Sequence, residues 1–295
     1  MQSEMHNLAQ ALDLTMLRNK RTIPPQKIVL ALAFALFCVL PVCAQTPTLA
    51  GIAHVAFRVN DLEKSRAFYR TLGFEQAFEF DDGGKTSVAF IKVDDRQFIE
   101  LYPRTDPSQP GGLLHICFES IDIGAVHDAY ISAGLQPAEV KKARAGNLLF
   151  VMHDPEGQLL EYTQYLPGSL HSLDRGKHLG EHRIAQHLMQ ATATVRDAKQ
   201  ERAFYTGKLG FEGAAPDGPV LRIAGGSGDE VKLQPAADGL EPAITFVVKN
   251  VRPVARALRS RGLRVSKQKK DVSVTDPDGA LIIFTSRSSR AASGP

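Results

Sequence analysis

The sequence predicts an α+β protein built from two tandem copies of one domain. Three observations predict it. The segment Asp61-LEKSRAFYRTLGF-Glu75 returns as Asp197-AKQERAFYTGKLGF-Glu212, with one inserted residue. Asp154-PEGQLLEYT returns as Asp276-PDGALIIFT, and the stretch Ala129 to Leu135 (AYISAGL) returns as Ala257 to Leu263 (ALRSRGL). Each copy also divides into two halves with the same order of strands and helix. Self-similarity of this kind defines the architecture before any local reading does. It places one domain at residues 51–165 and a second at about 187–286.

Taken in order, Ile52 to Val59 alternates: Ile52, His54, Ala56 and Arg58 point one way, and Ala53, Val55, Phe57 and Val59 the other. That is a strand with an apolar back and a mixed front. Asp61 caps a helix that carries Leu62, Ser65, Phe68, Tyr69 and Leu72 at helical spacing, and Gly73 ends it. Strands follow near Ser87–Val93 and Gln97–Tyr102. The second half repeats the order with a strand at Leu113–Glu119, a helix at Ile123–Ala133 ended by Gly134, and strands at Leu148–His153 and Leu159–Tyr165. The turn Asp154-Pro155-Glu156-Gly157 joins the last two, as Pro and Gly chemistry favours. The unit is β-α-β-β-β, twice per domain and four times in the chain.

The composition is globular: of 295 residues, 43% are hydrophobic and 23% charged, which excludes fibrous and wholly disordered classes. With 35 basic and 32 acidic residues and no basic block in the body, nucleic-acid binding is not expected. One apolar block stands apart. Arg18, Lys20, Arg21 and Lys27 precede the uncharged run Ile28 to Leu40, followed by Pro41-Val42-Cys43-Ala44. A basic region, an apolar core and a small-x-small site are the parts of a secretory signal. Residues 1–44 are therefore expected to be a signal peptide cleaved after Ala44, with Met16 as an alternative start. The run is shorter than the ~20 apolar residues a spanning helix needs, so no stable membrane span is expected after cleavage. Leu40-Pro41-Val42-Cys43 resembles a lipobox only loosely, because Val42 stands where a small residue belongs. The expected location is periplasmic or secreted. Removal of the segment leaves Cys117 as the one cysteine of the body, so no disulfide is expected.

Residues 166–186 read as a polar, exposed, Gly-rich linker containing His171, His178 and His182. The string His178-Leu179-Gly180-Glu181-His182 matches an H-x-x-E-H zinc motif. Gly180 weakens the helix that chemistry requires, so the match is read as chance. Lys267–Lys270 reads as a solvated turn, and 287–295 as a disordered tail.

The stretches HVAFRVNDLEKSRAFYRTLGF and HDPEGQLLEYTQY resemble the vicinal oxygen chelate (VOC) superfamily of glyoxalase I, extradiol dioxygenases, and bleomycin and fosfomycin resistance proteins. The resemblance covers essentially all of residues 51–286. It implies two tandem VOC domains, in each of which paired βαβββ units form a cupped mixed sheet around a metal-containing cavity. His54 lies on the first strand of unit one and Glu100 on its last; His115 and Glu161 hold the matching places in unit two. Both pairs are 46 residues apart, so the halves present them at equivalent positions. By alternation each faces away from the helix-packing side. Two imidazoles and two carboxylates suit one divalent ion such as Zn²⁺, Ni²⁺, Mn²⁺ or Fe²⁺.

The set His54, Glu100, His115 and Glu161 is similar to that of bacterial glyoxalase I. This implies a metal-dependent lyase/isomerase acting on a small carbonyl or hemithioacetal-type substrate, with Glu161 as the preferred base and Glu100 its partner. Arg58 matches a family substrate contact, whereas Arg104 replaces a family Asn. Phe98 and Tyr102 flank Glu100 on its face and are candidate substrate contacts. One alternative is an extradiol dioxygenase using His54, His115 and Glu161. Against it, Val151 replaces the Tyr of that signature, and Lys142 to Arg144 lies where a His is required. The other alternative is a binding protein without catalysis. In the second domain the equivalent positions are Gln190, Lys232, Ala243 and Ile283, so no metal is expected there. That domain is expected to cover the cavity or to mediate dimerisation; a homodimer is one arrangement open to the chain.

Overall fold

β1 (Leu49–Val59) is the spine of the first domain, because both halves of the domain hydrogen-bond to it. In the computed structural model, which describes residues 48–223, 225, 228–236, 242–268 and 270–286, α1 (Leu62–Thr71) follows β1. The Asp61 side chain accepts from the Lys64 N–H at its start, satisfying a donor the helix cannot satisfy itself. β2 (Glu75–Asp82), β3 (Lys85–Lys92) and β4 (Phe98–Pro103) complete unit one. Unit two is β5 (Gly112–Ser120), α2 (Ile123–Ser132), β6 (Lys141–Lys142), β7 (Leu148–His153) and β8 (Leu159–Gln164). The expected signal 1–44 and tail 287–295 lie outside the described residues.

The eight strands form one mixed sheet in the order β2-β3-β4-β1-β5-β8-β7-β6. β1 runs parallel to β4, β5 parallel to β8, and β1 antiparallel to β5. The two units therefore meet at β1 and β5 about a pseudo-twofold axis. Ile52 does not share a face with His54; it packs in the main core with Val55, Phe57 and Val59. The cause is a register shift between Ile52 and His54 against β5, where an extra residue reverses the alternation.

The second domain repeats the plan, with β9 (Leu188–Val195), α4 (Ala198–Gly207), β10 (Glu212–Gly213), β11 (Val220–Arg222), β12 (Glu230–Pro235), β13 (Ala243–Val247), α5 (Val251–Ser260), β14 (Ser266–Gln268), β15 (Asp271–Thr275) and β16 (Leu281–Thr285). Its sheet order, β10-β11-β12-β9-β13-β16-β15-β14, matches the first strand for strand. α3 (Leu170–Leu173) lies between the domains.

The repeat builds the interface between its own copies. Phe74, just past α1, stacks on Phe246 of the second domain at 5.3 Å; Phe211, its repeat, meets Phe118 edge-on at 5.3 Å. Such ring pairs contribute ~0.5–1.5 kcal/mol each beyond area burial. The Asp-Pro-x-Gly turn of each domain also seats on the first helix of the other. Glu156 accepts from the Arg196 N–H at 2.8 Å and the Asp197 N–H at 2.6 Å, while Asp278 accepts from the Asn60 N–H at 2.8 Å and the Ser65 hydroxyl at 3.1 Å. One cluster of buried apolar side chains runs through both domains.

The connector is not the exposed linker that its polarity suggests. Ser169, His171 and Asp174 are buried, and Lys92 on β3, itself fully buried, reaches Asp174 Oδ2 at 2.8 Å. Gly73, with φ of +85°, lies so close to the chain that a Cβ there would collide with the His182 carbonyl oxygen. Residues 178–182 form no helix, so the H-x-x-E-H string lacks the scaffold for that chemistry. Among the described residues no helix is long and apolar enough to cross a membrane.

Candidate metal centre

β1 and β5 pair so that Ala56 opposes His115 and His54 opposes Cys117. This brings both histidines to the same place on the concave face. His54 Nε2 and His115 Nε2 stand 2.9 Å apart. β8 lies beside β5 with Glu161 opposite Cys117, which sets Glu161 Oε1 3.7 Å from His54 Nε2 and Oε2 3.9 Å from His115 Nε2. Glu100 on β4 completes the ring, with Oε1 3.4 Å from His54 Nδ1 and Oε2 3.9 Å from His115 Nε2.

The four sequence-predicted ligands are therefore brought together, though not equivalently. His54, His115 and Glu161 form the compact triad, each offering an atom within 4.8 Å of the others. Glu100 is held at its edge by the Tyr102 hydroxyl, which donates to Oε2 at 2.9 Å. Cys117, fully buried, directs its Sγ to Glu161 Oε1 at 3.5 Å.

The donor set fits a divalent ion. Metal–ligand bonds of ~2.0–2.2 Å put neighbouring donors ~3.0–3.6 Å apart, close to the separations just given. Burial holds His54 well below its ordinary pKa and His115 at about 4, so both imidazoles are neutral, the form that can bind a metal. Burial pushes Glu161 up to about 7. Burial, and then the charge of Glu161, raises Glu100 well above the usual range. Among the described residues no Lys or Arg forms an ion pair with either carboxylate. Two carboxylates so placed cannot both ionise without a cation beside them.

A cavity of about 370 Å³ opens on this cluster. Its floor includes His54, Glu100, Glu161 and Tyr102; Val88, Phe80 and Phe90 make an apolar wall; Lys141, Lys142 and Arg144 lie on its rim. Two predicted substrate contacts are elsewhere. Phe98 is fully buried in the cluster with Val88 and Phe90, and Arg58, also outside the lining, donates to the Pro110 carbonyl at 3.0 Å. Both stand on the strands that carry His54 and Glu100, but the rings packed above Phe98 and the loop beside Arg58 are long-range features. His171, expected in an exposed linker, lines the cavity. No periodicity marks it. Among the described residues, all that line the cavity belong to the first domain and the connector, and none to the second domain expected to cover it. In that domain Gln190 pairs with Glu230 on its own sheet at 2.8 Å, and Lys232 reaches Gln234 at 2.9 Å.

Paired βαβββ units that cup a His/Glu cluster able to hold a metal define the class of α+β protein to which the fold and site point. The family model of the glyoxalase/bleomycin resistance protein/dioxygenase superfamily matches residues 51–162. An ethylmalonyl-CoA/methylmalonyl-CoA epimerase from Cereibacter sphaeroides is 36% identical over 133 residues, covering 39% of this chain and 98% of that protein. The chain belongs to this superfamily. Its two-domain fold is similar to a Mn(II)-bound glyoxalase from Novosphingobium aromaticivorans, with a TM-score of 0.62, 16% identity, and 81% and 82% of the two chains covered. It is equally similar to a catechol 2,3-dioxygenase, with a TM-score of 0.62, 16% identity, and 81% and 88% covered. An extradiol ring-cleaving dioxygenase from B. fuscum follows at a TM-score of 0.63 and 16% identity, with 86% and 76% covered.

Proposed function

We propose that this protein is a metal-dependent isomerase or epimerase that moves a proton at a carbon next to a carbonyl group. The observation that carries the reading is the pair of carboxylates, buried Glu100 and half-buried Glu161, facing one imidazole pair at the floor of a cavity. His54, His115 and Glu161 would hold the ion. A divalent metal there supplies Lewis-acid stabilisation of the charge that develops on a carbonyl oxygen. Glu100 is the better candidate for the proton-moving group, because it sits at the edge of the triad rather than within it. A carboxylate with a raised pKa takes a proton from carbon and returns it near neutral pH. Tyr102 orients Glu100 by donating to Oε2. Val88, Phe80 and Phe90 exclude water from one side.

The rim supports an anionic substrate. Lys141 and Lys142 are exposed there, and charge at the mouth of a low-dielectric cleft raises the local concentration of its counter-ion. The 36% identity to a protein named as an epimerase agrees with proton transfer at carbon. The test uses the full chain loaded with Zn²⁺ or Mn²⁺ in D2O. Small anionic 2-oxo compounds and acyl thioesters are followed for loss of the C–H signal beside the carbonyl. Exchange that disappears in Glu100→Gln supports the reading; no exchange with any of them overturns it.

A second reading rests on the same triad. His54, His115 and Glu161 are a two-His-one-carboxylate set, which suits Fe²⁺ and oxygen chemistry. Oxygen uptake by the Fe²⁺-loaded protein with catechols, without proton exchange, would select it. Export is proposed as well: N-terminal sequencing of the protein made in a bacterial host should begin at Gln45.

A further inference from the structure

His171 is the one histidine of the connector that is buried in the cavity wall, and no role in the reading above uses it. It is 3% exposed, and neither ring nitrogen has a hydrogen-bond partner. Its surroundings are aromatic. Tyr165 stacks on the ring at 4.5 Å, and Phe78, Phe90 and Phe98 meet it edge-on at 5.1, 5.6 and 5.0 Å. These rings fix its plane and satisfy neither nitrogen. Leaving a buried donor and acceptor unpaired is costly unless something else pairs them.

The backbone beneath is anchored for the purpose of holding α3 in place. The buried Lys92 ammonium binds the Asp174 carboxylate at 2.8 Å and also the Asp174 carbonyl; Ser169 caps the helix through the Ser172 N–H at 3.3 Å. A packed imidazole on a pinned turn would be an expensive filler where Phe or Leu would serve.

We infer that His171 is a substrate-contacting residue, hydrogen-bonding an oxygen of the ligand that occupies the cavity. A half-turn about χ2 exchanges each nitrogen with a ring carbon. The ring stays in the plane set by Tyr165, and the backbone does not move. Either nitrogen can thus take the place a ring carbon now holds, on a ring that lines the cavity. The contact comes from outside the matched family segment 51–162, so the connector of this chain contributes to ligand choice. The inference rests on the cavity being the substrate site.

The probe is oxalate, whose adjacent oxygens mimic an enediolate without requiring turnover. The full chain, loaded with diamagnetic Zn²⁺ and labelled with ¹⁵N-histidine, is titrated with it and followed by NMR. The expected result is a shift of the His171 ring nitrogens to hydrogen-bonded values at saturation. Oxalate affinity should fall ~10-fold in His171→Phe, the scale of one hydrogen bond to a charged group, and recover partly in His171→Gln. Zinc content should stay unchanged in both. Oxalate binding that leaves the His171 nitrogens unmoved overturns the inference, and so does unaltered affinity in a folded His171→Phe. If that variant fails to fold, the titration of the parent decides. Oxalate binding with a His171 shift but no proton exchange on any substrate would sink the proposed reaction and leave this contact standing. No oxalate binding by the zinc-loaded parent counts against both.

Discussion

Glu161 and Glu100 look interchangeable in the repeat, and the structure gives them different neighbours. Glu161 belongs to the compact triad, while Glu100 faces His54 through Nδ1 and accepts from the Tyr102 hydroxyl. Two substitutions should therefore separate. Glu161→Gln should lose bound metal and activity together, as measured by metal analysis of the dialysed protein. Glu100→Gln should keep the metal and slow proton exchange by ~10²–10⁴-fold, the usual contribution of a positioned base. Lys92 makes a further prediction at this scale. It is fully buried and paired to Asp174. Asp174→Ala strands that charge and should cost ~3–5 kcal/mol in urea unfolding; Lys92→Met with Asp174→Leu should recover much of the loss.

At the scale of elements, the connector is the part whose character was hidden. Its composition is polar, and polar segments are normally exposed. Here the polar groups pair with partners far along the chain, such as Asp174 with Lys92 on β3. The turn at Gly73 depends on the same packing. Gly73→Ala must tolerate a left-handed φ at ~1–2 kcal/mol and a collision with the His182 backbone, for which overpacking costs ~1–3 kcal/mol. A loss of ~2–5 kcal/mol in unfolding free energy from urea titration is expected. Gly134 also has a positive φ of +79°, but a Cβ there meets nothing, so Gly134→Ala should cost only the first part. β1 carries the other element-scale lesson. Strict alternation put Ile52 on the ligand face, and the bulge before His54 returned it to the core. A bulge is set by pairing with β5, which period-two reasoning does not contain.

For the whole molecule, the junction between domains should make stability depend on pH. His187 donates to Asp229 at 2.7 Å and lies 3.6 Å from Asp94 of the first domain, and these carboxylates raise it to about 9 from an ordinary 6.5. A raised folded-state pKa means the contribution is complete below pH ~6.5 and is lost as pH rises through ~9. Glu201, buried on α4 beside Asp154 of the other domain, is raised to about 8 from 4.5, with burial the larger cause. The folded state binds its proton more tightly, so this group too makes stability fall, here between pH ~4.5 and ~8. Urea midpoints should decline from pH 5 to 9, and Glu201→Gln should flatten the first part of that decline. Metal should act in the opposite sense. A divalent ion at a hundred times its Kd adds ~2.7 kcal/mol to the folded state, so a chelator should lower Tm.

The duplicated domain, its four βαβββ units and the four positions of the candidate centre were legible in the sequence alone. Repeats preserve register: equal spacing of His54 to Glu100 and of His115 to Glu161 fixes equivalent places on equivalent strands, whatever surrounds them. The same logic places Gln190, Lys232, Ala243 and Ile283 at the four matching positions of the second domain. Tertiary structure alone decided which carboxylate stands within the triad, that Phe98 lies beneath the cavity while Lys141, Lys142 and Arg144 rim it, and that His171 closes its wall. Those outcomes depend on contacts between elements distant in the chain, whose side chains compete for one enclosed space. Local pattern carries no information about who wins that competition; packing and the pairing of buried polar groups determine it.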